Sequence, residues 1–264
     1  MDVADIIKPA GAGGVELAID GGLAIITIDR PAVRNAIGFA TVDELHEALA
    51  WLESSDAAVT VLTGGGDRAF VSGGDLKELA TVRTHAEATD MASNVRDVLD
   101  RLASLPMPVI AAMNGHALGG GAEVSVAADI RLAASDIRIG FSQVTLGIMP
   151  AWGGIERLVQ LVGRSRALLA ITSGTQYDAT TAHGIGLVDA VIPRADFDAE
   201  WRAIAGRMAS LAPGAARSMK AVVAAAAPAV RHDTRADAID HFAHLWAAPA
   251  HWEAVEAAQQ QRKR

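Results

Sequence analysis

Two glycine-rich segments, each leading from an apolar run toward a helical pattern, constrain the fold of this chain more than any other feature. They are Phe70–Leu76 and Ala117–Glu123. Glycine lets a ligand approach the backbone closely, and the first turn of a helix leaves N–H groups unpaired. Two such N–H groups aimed at one point would form an oxyanion hole. Spacing alone also allows the simpler interpretation of two ordinary strand-to-helix turns.

Strand and helix patterns alternate around these segments. Val15–Ile19 and Leu23–Asp29 are β-rich and flank an Asp-Gly-Gly turn, which predicts a hairpin. Apolar residues at steps of three and four predict helices over Thr41–Glu53 and Thr84–Leu105. Each of these helices starts with a threonine followed three residues later by a glutamate, the pattern of a capping box. The sequence therefore predicts an α/β fold.

The last third of the chain has a mostly helical pattern. One strand, Leu187–Ile192, interrupts it, and the composition shifts near residue 196. We therefore expect a core over residues 1–195 that carries the site, and a helical C-terminal subdomain over residues 196–264. Asp129 and Arg131, which follow the second glycine segment, are expected to form a structural ion pair.

Composition excludes several classes of protein. Hydrophobic residues make up 51% of the 264 residues, so the chain can build a large core and is not a disordered segment. Cysteine is absent, which excludes a disulfide scaffold, a thiol nucleophile and cysteine-bound metals. The formal net charge of −8 argues against nucleic-acid binding, which requires basic patches.

The apolar segments are too interrupted to predict a membrane-spanning helix. The longest, Leu105–Leu118, contains Pro106, Pro108 and Asn114 and is shorter than the ~20 residues that cross a bilayer. Met1–Lys8 has acidic residues where a signal peptide is basic. We therefore expect a cytoplasmic protein that does not bind membranes.

Motifs typical of nucleotide hydrolases, dinucleotide-binding proteins, zinc proteases and serine hydrolases do not occur in the sequence. His241, His244 and His251 lie near Asp240, which would be compatible with a metal. A solvated helix face is the preferred interpretation of this group, and no metal site is predicted.

Four collinear segments resemble the signatures of one protein family, the crotonase or enoyl-CoA hydratase/isomerase superfamily. Ala69–Leu76 resembles its A-F-x-x-G-x-D-[IL] signature, and Val109–Glu123 resembles its stretch that ends in N-G-x-A-x-G-G-G-x-E. Arg30–Ala36 and Leu146–Gly154 resemble its R-P-x-x-x-N-A and L-G-x-x-P-x-x-G-G elements. The resemblance covers about residues 15–250.

The resemblance implies a crotonase-like spiral of ββα units with a helical C-terminal subdomain, assembled as a homotrimer or a dimer of trimers. It implies an acyl-CoA thioester as the substrate, with CoA as part of that substrate and no cofactor or metal besides. The thioester carbonyl would lie between the N–H groups of Gly74 and Gly120, which would stabilise an enolate. Glu123 would be the catalytic acid or base, with a helix cap or an ion pair as its alternative role.

The resemblance also implies a set of substrate-binding residues. Carbonyl groups near Val71 and Gly73 would bind adenine, and Arg34 would contact a CoA phosphate. The remaining positions are Asp75, Leu76, Gly121, Gln143, Pro150 and Trp152. Asp75 also fits a helix N-cap, and Trp152 also fits an ordinary pocket wall or a core aromatic.

The sequence departs from the hydratases of this family at the second of their two glutamates, where it has Gln143. An amide orients water but does not transfer a proton at neutral pH. We expect an acyl-CoA enzyme of the hydratase/isomerase type, acting in fatty-acid or related acyl-CoA metabolism. Single-carboxylate isomerisation and alkylmalonyl-CoA decarboxylation stay open, the latter because Pro150–Gly154 looks similar to such decarboxylases.

Two non-enzymatic alternatives have less support. A protein that only binds CoA thioesters does not need Glu123 beside the two glycine segments. A nucleic-acid-binding relative would need a lysine-rich helix, whereas the basic residues of Thr84–Leu105 are two arginines diluted by Asp and Glu.

Overall fold

The strands form two sheets in this computed structural model, which describes residues 5–8, 10–210, 213–226 and 234–262. The strands are β1 (Asp5–Lys8), β2 (Val15–Asp20), β3 (Leu23–Ile28), β4 (Val59–Gly64), β5 (Ala69–Val71), β6 (Val109–Met113), β7 (His116–Leu118), β8 (Ile130–Ala134), β9 (Arg138–Gly140), β10 (Tyr177–Asp178) and β11 (Ala190–Ile192). The helices are α1 (Phe39–Ser54), α2 (Leu76–Leu79), α3 (His85–Ser104), α4 (Gly120–Val126), α5 (Gly154–Val162), α6 (Arg164–Ser173), α7 (Ala179–Gly184), α8 (Phe197–Ala209), α9 (Pro213–Ala226), α10 (Arg235–Ala247) and α11 (Pro249–Arg262). The first residues of Met1–Lys8, the segment compared with a signal peptide, lie outside the described residues. Parts of the predicted subdomain over residues 196–264 also lie outside them.

From β4 to β9, successive strands alternate between the two sheets, and this alternation produces a spiral. The larger sheet has the order β1-β2-β3-β4-β6-β8-β11, and the smaller sheet has the order β10-β9-β7-β5. In each of the pairs β4/β5, β6/β7 and β8/β9, the first strand lies in the larger sheet and the second in the smaller one. The predicted spiral of ββα units is therefore confirmed, as is the hairpin of β2 and β3.

The spiral brings the two glycine segments side by side. β5 and β7 pair in parallel, with Val71 opposite Ala117. Because parallel strands have their carboxyl ends at the same edge of a sheet, the turns that follow these two strands are neighbours.

Two buried asparagines fix the first glycine segment to the larger sheet. Asn35 accepts a hydrogen bond from the Arg30 N–H (2.9 Å) and donates one to the Ala69 carbonyl (2.7 Å). Asn114, which follows β6, donates to the Gly64 carbonyl (2.6 Å) and accepts from the Gly64 N–H (3.1 Å). Asn35 also donates to the Gly65 carbonyl directly after β4 (3.0 Å), so these paired buried groups hold the start of β5 against the end of β4.

The two predicted capping boxes have different outcomes. α3 starts as predicted, because Thr84 accepts from the Glu87 N–H (3.2 Å) and Glu87 accepts from the Thr84 N–H (2.9 Å). The capping box predicted for α1 is wrong, since this helix begins at Phe39. Glu44 instead accepts a hydrogen bond from the Val15 N–H (2.8 Å) and thereby fixes the start of β2.

The ion pair predicted between Asp129 and Arg131 is wrong. Arg131 pairs with Asp189 (2.6 Å), which directly precedes β11, and Asp129 pairs with Lys220 of α9 (2.7 Å). Both charged groups therefore join the larger sheet to parts of the chain that come much later in the sequence.

The C-terminal helices pack on the sheet core and on α3. Phe197 and Trp201 of α8 are buried, and this helix contacts strands of the larger sheet. α10 packs along α3. Within the described ranges, no helix combines the length and the apolar character needed to cross a membrane.

Candidate active site

Ile37 holds the first glycine turn in place through two hydrogen bonds. The Ile37 N–H donates to the Gly73 carbonyl, and the Asp75 N–H donates to the Ile37 carbonyl, both at 2.8 Å. Because alternate residues of an extended segment direct their polar groups to opposite sides, the Gly74 N–H points away from Ile37. It donates to no acceptor in the described part of the chain.

The second glycine turn presents a free N–H from the first residue of α4. Gly119, with φ of +57°, turns the chain into the helix, and its N–H donates to the Gly140 carbonyl (2.8 Å). The Gly120 N–H has no acceptor among the described residues, because no helical turn precedes it. A Cβ placed on Gly73 would lie 3.2 Å from the Gly120 nitrogen. The free N–H groups of Gly74 and Gly120 thus belong to backbone segments in contact.

Gly121 is required by the close packing of α4 on β5. A Cβ on Gly121 would lie 1.7 Å from the Val71 carbonyl oxygen, so no side chain fits there. The Gly73 carbonyl, as described, accepts a hydrogen bond from Ile37. The adenine contacts of the Val71 and Gly73 carbonyls stay predictions.

Asp75 caps α2, which confirms its interpretation as a helix N-cap. Its carboxylate accepts hydrogen bonds from two N–H groups of the first turn (3.2 and 3.5 Å) and lies 3.2 Å from Arg30 Nη2. Arg34 is exposed. It lies beside the first glycine turn, because its carbonyl accepts a hydrogen bond from the Ser72 N–H (3.2 Å). Leu76 is half-buried at the start of α2.

Glu123 lies one helical turn beyond Gly120 and is only 2% exposed. Its Oε2 accepts hydrogen bonds from the N–H groups of Trp152 (2.8 Å) and Gly154 (3.0 Å), and its Oε1 accepts one from Gln143 Nε2 (2.9 Å). Burial raises the pKa of Glu123 to about 7, although these hydrogen bonds oppose the shift. Glu123 is therefore a carboxyl that can take up and release a proton near neutral pH.

Gln143 contacts the acid directly from a short 3-10 helix, Ser142–Leu146. Its Nε2 donates to Glu123, whereas its buried Oε1 accepts no hydrogen bond from the residues that the structure describes. An amide with a free acceptor thus lies beside the acid. Pro150, further along the same segment, is buried.

The indole of Trp152 covers both glycine turns. A Cβ on Gly120 would lie 2.1 Å from its Cζ3, and a Cβ on Gly74 would lie 3.7 Å from its Cη2. Arg157 donates to the Trp152 carbonyl (3.0 Å) and is held in turn by Asp100 (2.5 Å). Sequence analysis missed Arg157, because an arginine inside a helical pattern carries no signal of this contact.

The histidines assigned to a solvated helix face occupy two different environments. His244 and Asp240 of α10 lie beside His85 of α3, with His85 Nε2 at 3.0 Å from Asp240 Oδ1, and all three are at least partly exposed. His251 is completely buried, with its Nδ1 at 2.6 Å from the Leu146 carbonyl oxygen. The solvated interpretation is therefore wrong for His251.

The raised pKa of Glu123 predicts a pH-dependent stability. The folded protein holds this proton more tightly than the unfolded chain, whose pKa is 4.5, so the stabilisation is complete below pH 4.5 and is lost as the pH rises through about 7. At about 1.4 kcal/mol per pH unit, the loss amounts to about 3 kcal/mol. We expect Glu123→Gln to remove this loss.

Urea unfolding of both proteins across this pH range measures the effect as the difference between their free energies of unfolding. His251 also contributes to the pH dependence, because burial lowers its pKa and it therefore stabilises the folded state as the pH rises. Taking the difference between the two proteins cancels this contribution. A difference that does not change with pH would show that the Glu123 pKa is ordinary.

Comparison with known proteins identifies the family of this chain. The family model described as enoyl-CoA hydratase/isomerase matches residues 18–262. The short-chain-enoyl-CoA hydratase of Clostridium acetobutylicum is 36% identical over 210 residues, which cover 79% of this chain and 80% of that protein. The crotonyl-CoA hydratase of Syntrophomonas wolfei is 35% identical over 200 residues, which cover 75% of this chain and 76% of that protein.

The solved structures agree with the sequence comparison. The crystal structure of an enoyl-CoA hydratase from Bacillus anthracis superposes with a TM-score of 0.78 at 30% identity, covering 94% of this chain and 96% of that one. The carnitinyl-CoA hydratase of Mycobacterium avium superposes with a TM-score of 0.82 at 28% identity, covering 95% and 97%. The chain is an enzyme with the crotonase fold and belongs to the enoyl-CoA hydratase/isomerase family.

Proposed function

We propose that this enzyme hydrates short-chain enoyl-CoA thioesters, with Glu123 as the one side chain that transfers protons. The thioester carbonyl oxygen accepts hydrogen bonds from the N–H groups of Gly74 and Gly120. The observation that carries the proposal is a buried carboxyl, with its pKa raised to about 7, one helical turn from Gly120. The free N–H groups of Gly120 and Gly74 lie on backbone segments that are in contact. Relatives named short-chain-enoyl-CoA hydratase and crotonyl-CoA hydratase support the choice of substrate.

One water molecule is the nucleophile in the proposed reaction. It donates one hydrogen bond to the Glu123 carboxylate and the other to the free Oε1 of Gln143. Glu123 takes a proton from the water while the water oxygen bonds to C3 of the enoyl group. The electron pair of the double bond moves to the thioester oxygen, where Gly74 and Gly120 stabilise the negative charge. Glu123 then returns the proton to C2, which restores its carboxylate.

We place the CoA portion on the exposed side of the first glycine turn. Arg34 is exposed there, and its guanidinium contacts a CoA phosphate. No cofactor is required, because the thioester carbonyl itself takes up the electron pair. We further propose a cytoplasmic homotrimer or dimer of trimers, in which residues 196–264 contribute to assembly and to closing the CoA pocket.

Gln143 favours a second candidate function, the isomerisation of a 3-enoyl-CoA to a 2-enoyl-CoA. That reaction removes a proton from C2 and returns one at C4, and one carboxyl can do both. The run Pro150–Gly154 supports alkylmalonyl-CoA decarboxylation as a further alternative, which also requires no second carboxyl.

Crotonyl-CoA tests the hydratase proposal. We expect the wild-type enzyme to convert it to 3-hydroxybutyryl-CoA, with loss of the enoyl-thioester absorbance. Gln143→Glu adds a second proton-transferring group beside the acid and is expected to raise kcat/KM by about 10². Gln143→Asn retains an amide and is the matched control, for which no increase is expected.

Assays with two further CoA thioesters distinguish the alternatives. If crotonyl-CoA stays unchanged while a 3-butenoyl-CoA is converted to crotonyl-CoA, the enzyme is an isomerase. Release of carbon dioxide from ethylmalonyl-CoA, without hydration of crotonyl-CoA, assigns the decarboxylase reaction instead.

A further inference from the structure

The indole of Trp152 lies where an acyl group has to pass once its carbonyl reaches Gly74 and Gly120. We propose that Trp152 is the residue that sets the upper limit on acyl-chain length and restricts this enzyme to the shortest enoyl groups. The inference rests on the proposed function, because it places the thioester carbonyl at the two free N–H groups.

The contacts of the ring define a wall over the glycines. A Cβ on Gly120 would lie within 2.9 Å of three atoms of the six-membered ring, Cζ3, Cη2 and Cε3. On the other turn, a Cβ on Gly74 would lie 2.7 Å from Leu79 Cδ1. Trp152 is 7% exposed and Leu79 is 5% exposed, so both side chains are packed in place. The indole and Leu79 therefore border the space that a thioester carbonyl at these two glycines leaves for its acyl group.

The backbone of Trp152 is fixed on both sides, so the indole projects from an anchored peptide. The Trp152 N–H donates to Glu123, and the Trp152 carbonyl accepts from Arg157. Moving this peptide would leave a buried carboxylate without one of its N–H donors, which is unfavourable. The ring thus projects from a peptide that stays in place, and its own burial, at 7% exposure, packs it against the glycine turns.

Leu79, which borders the same space, belongs to a buried apolar cluster. This cluster also contains Met91 of α3 and Phe242 and Trp246 of α10. Trp246 Nε1 also donates to the Val82 carbonyl (3.0 Å), which anchors α10 over this region. A longer acyl chain would have to displace this cluster as well as the indole.

Chain-length selectivity tests the proposal. We expect wild-type kcat/KM for crotonyl-CoA to exceed that for (2E)-octenoyl-CoA by about 10² or more, because one methylene in a closed apolar pocket already changes selectivity about 10-fold to 200-fold. Trp152→Ala is expected to reduce this ratio at least about tenfold, and Trp152→Phe to give an intermediate ratio. Trp51→Ala, which removes an exposed indole of α1, is the matched control and should leave the ratio unchanged.

Binding of the saturated analogues keeps this test independent of the reaction. Calorimetry with butyryl-CoA and octanoyl-CoA should show the same preference for the short chain, and Trp152→Ala should reduce it. If the wild type hydrates neither enoyl substrate, the proposed function fails, and the binding ratios still decide the role of Trp152. Equal use and binding of both chain lengths by the wild type, or an unchanged ratio in a folded Trp152 variant, would overturn the inference.

Discussion

Glu123→Gln is expected to lower kcat for hydration by about 10²–10⁴, while CoA-thioester binding changes by no more than a few-fold. The amide oxygen of the variant can still accept the hydrogen bonds from the Trp152 and Gly154 N–H groups. The amide of Gln143 can rotate so that its oxygen faces the new NH₂ group. The variant therefore keeps the hydrogen bonds that hold the site together and loses the carboxyl that transfers the proton.

Glu156→Gln is the matched control for this loss of one negative charge. Glu156 lies on α5, the helix whose first N–H contacts Glu123, but its own carboxylate pairs with Arg96 (2.9 Å). Steady-state kinetics should show near wild-type kcat for this control. Full activity in Glu123→Gln would remove Glu123 from the mechanism.

Gly74→Pro is expected to lower kcat/KM by about 10²–10³ relative to Gly74→Ala, because proline removes the N–H that we assign to the oxyanion hole. Both substitutions introduce a Cβ that meets Leu79 Cδ1, the flexible end of a side chain, at 2.7 Å. The two variants therefore share the cost of the Cβ, while proline alone replaces the N–H with a ring carbon. Since the Gly74 N–H has no acceptor within the described residues, proline breaks no backbone hydrogen bond there.

Circular dichroism and thermal melting of both Gly74 variants establish whether each one is folded before their rates are compared. Similar kcat/KM values in two folded variants would show that the Gly74 N–H does not stabilise the transition state.

The elements around the glycine segments could be predicted from sequence because their causes are local. The turn into α4 depends on Gly119, whose φ is +57°, and the start of α3 depends on its threonine cap. Both features involve residues that are close together in the chain. α1 shows the limit of this reasoning. Glu44 has the spacing of a capping residue, yet its carboxylate binds the start of β2, a strand that the local pattern does not connect to it.

The site was predictable only as far as its motif residues. Glu123 and the two glycine turns come from short sequence patterns. The pKa of Glu123 does not, because it depends on burial in the folded site. The Trp152 and Gly154 N–H groups that oppose the shift lie about thirty residues later and act through the backbone. The pairing of Arg131 with Asp189, 58 residues away, escapes local reasoning for the same reason.

The infrared carbonyl frequency of a bound thioester tests the central claim most directly. Butyryl-CoA labelled with carbon-13 at the carbonyl cannot be hydrated and reports on hydrogen bonding to its oxygen. If the N–H groups of Gly74 and Gly120 both donate to that oxygen, its C=O stretch moves to lower frequency on binding, and Gly74→Pro loses part of the shift that Gly74→Ala retains. A frequency equal to that of free butyryl-CoA in water, or an identical shift in the two variants, would contradict the account.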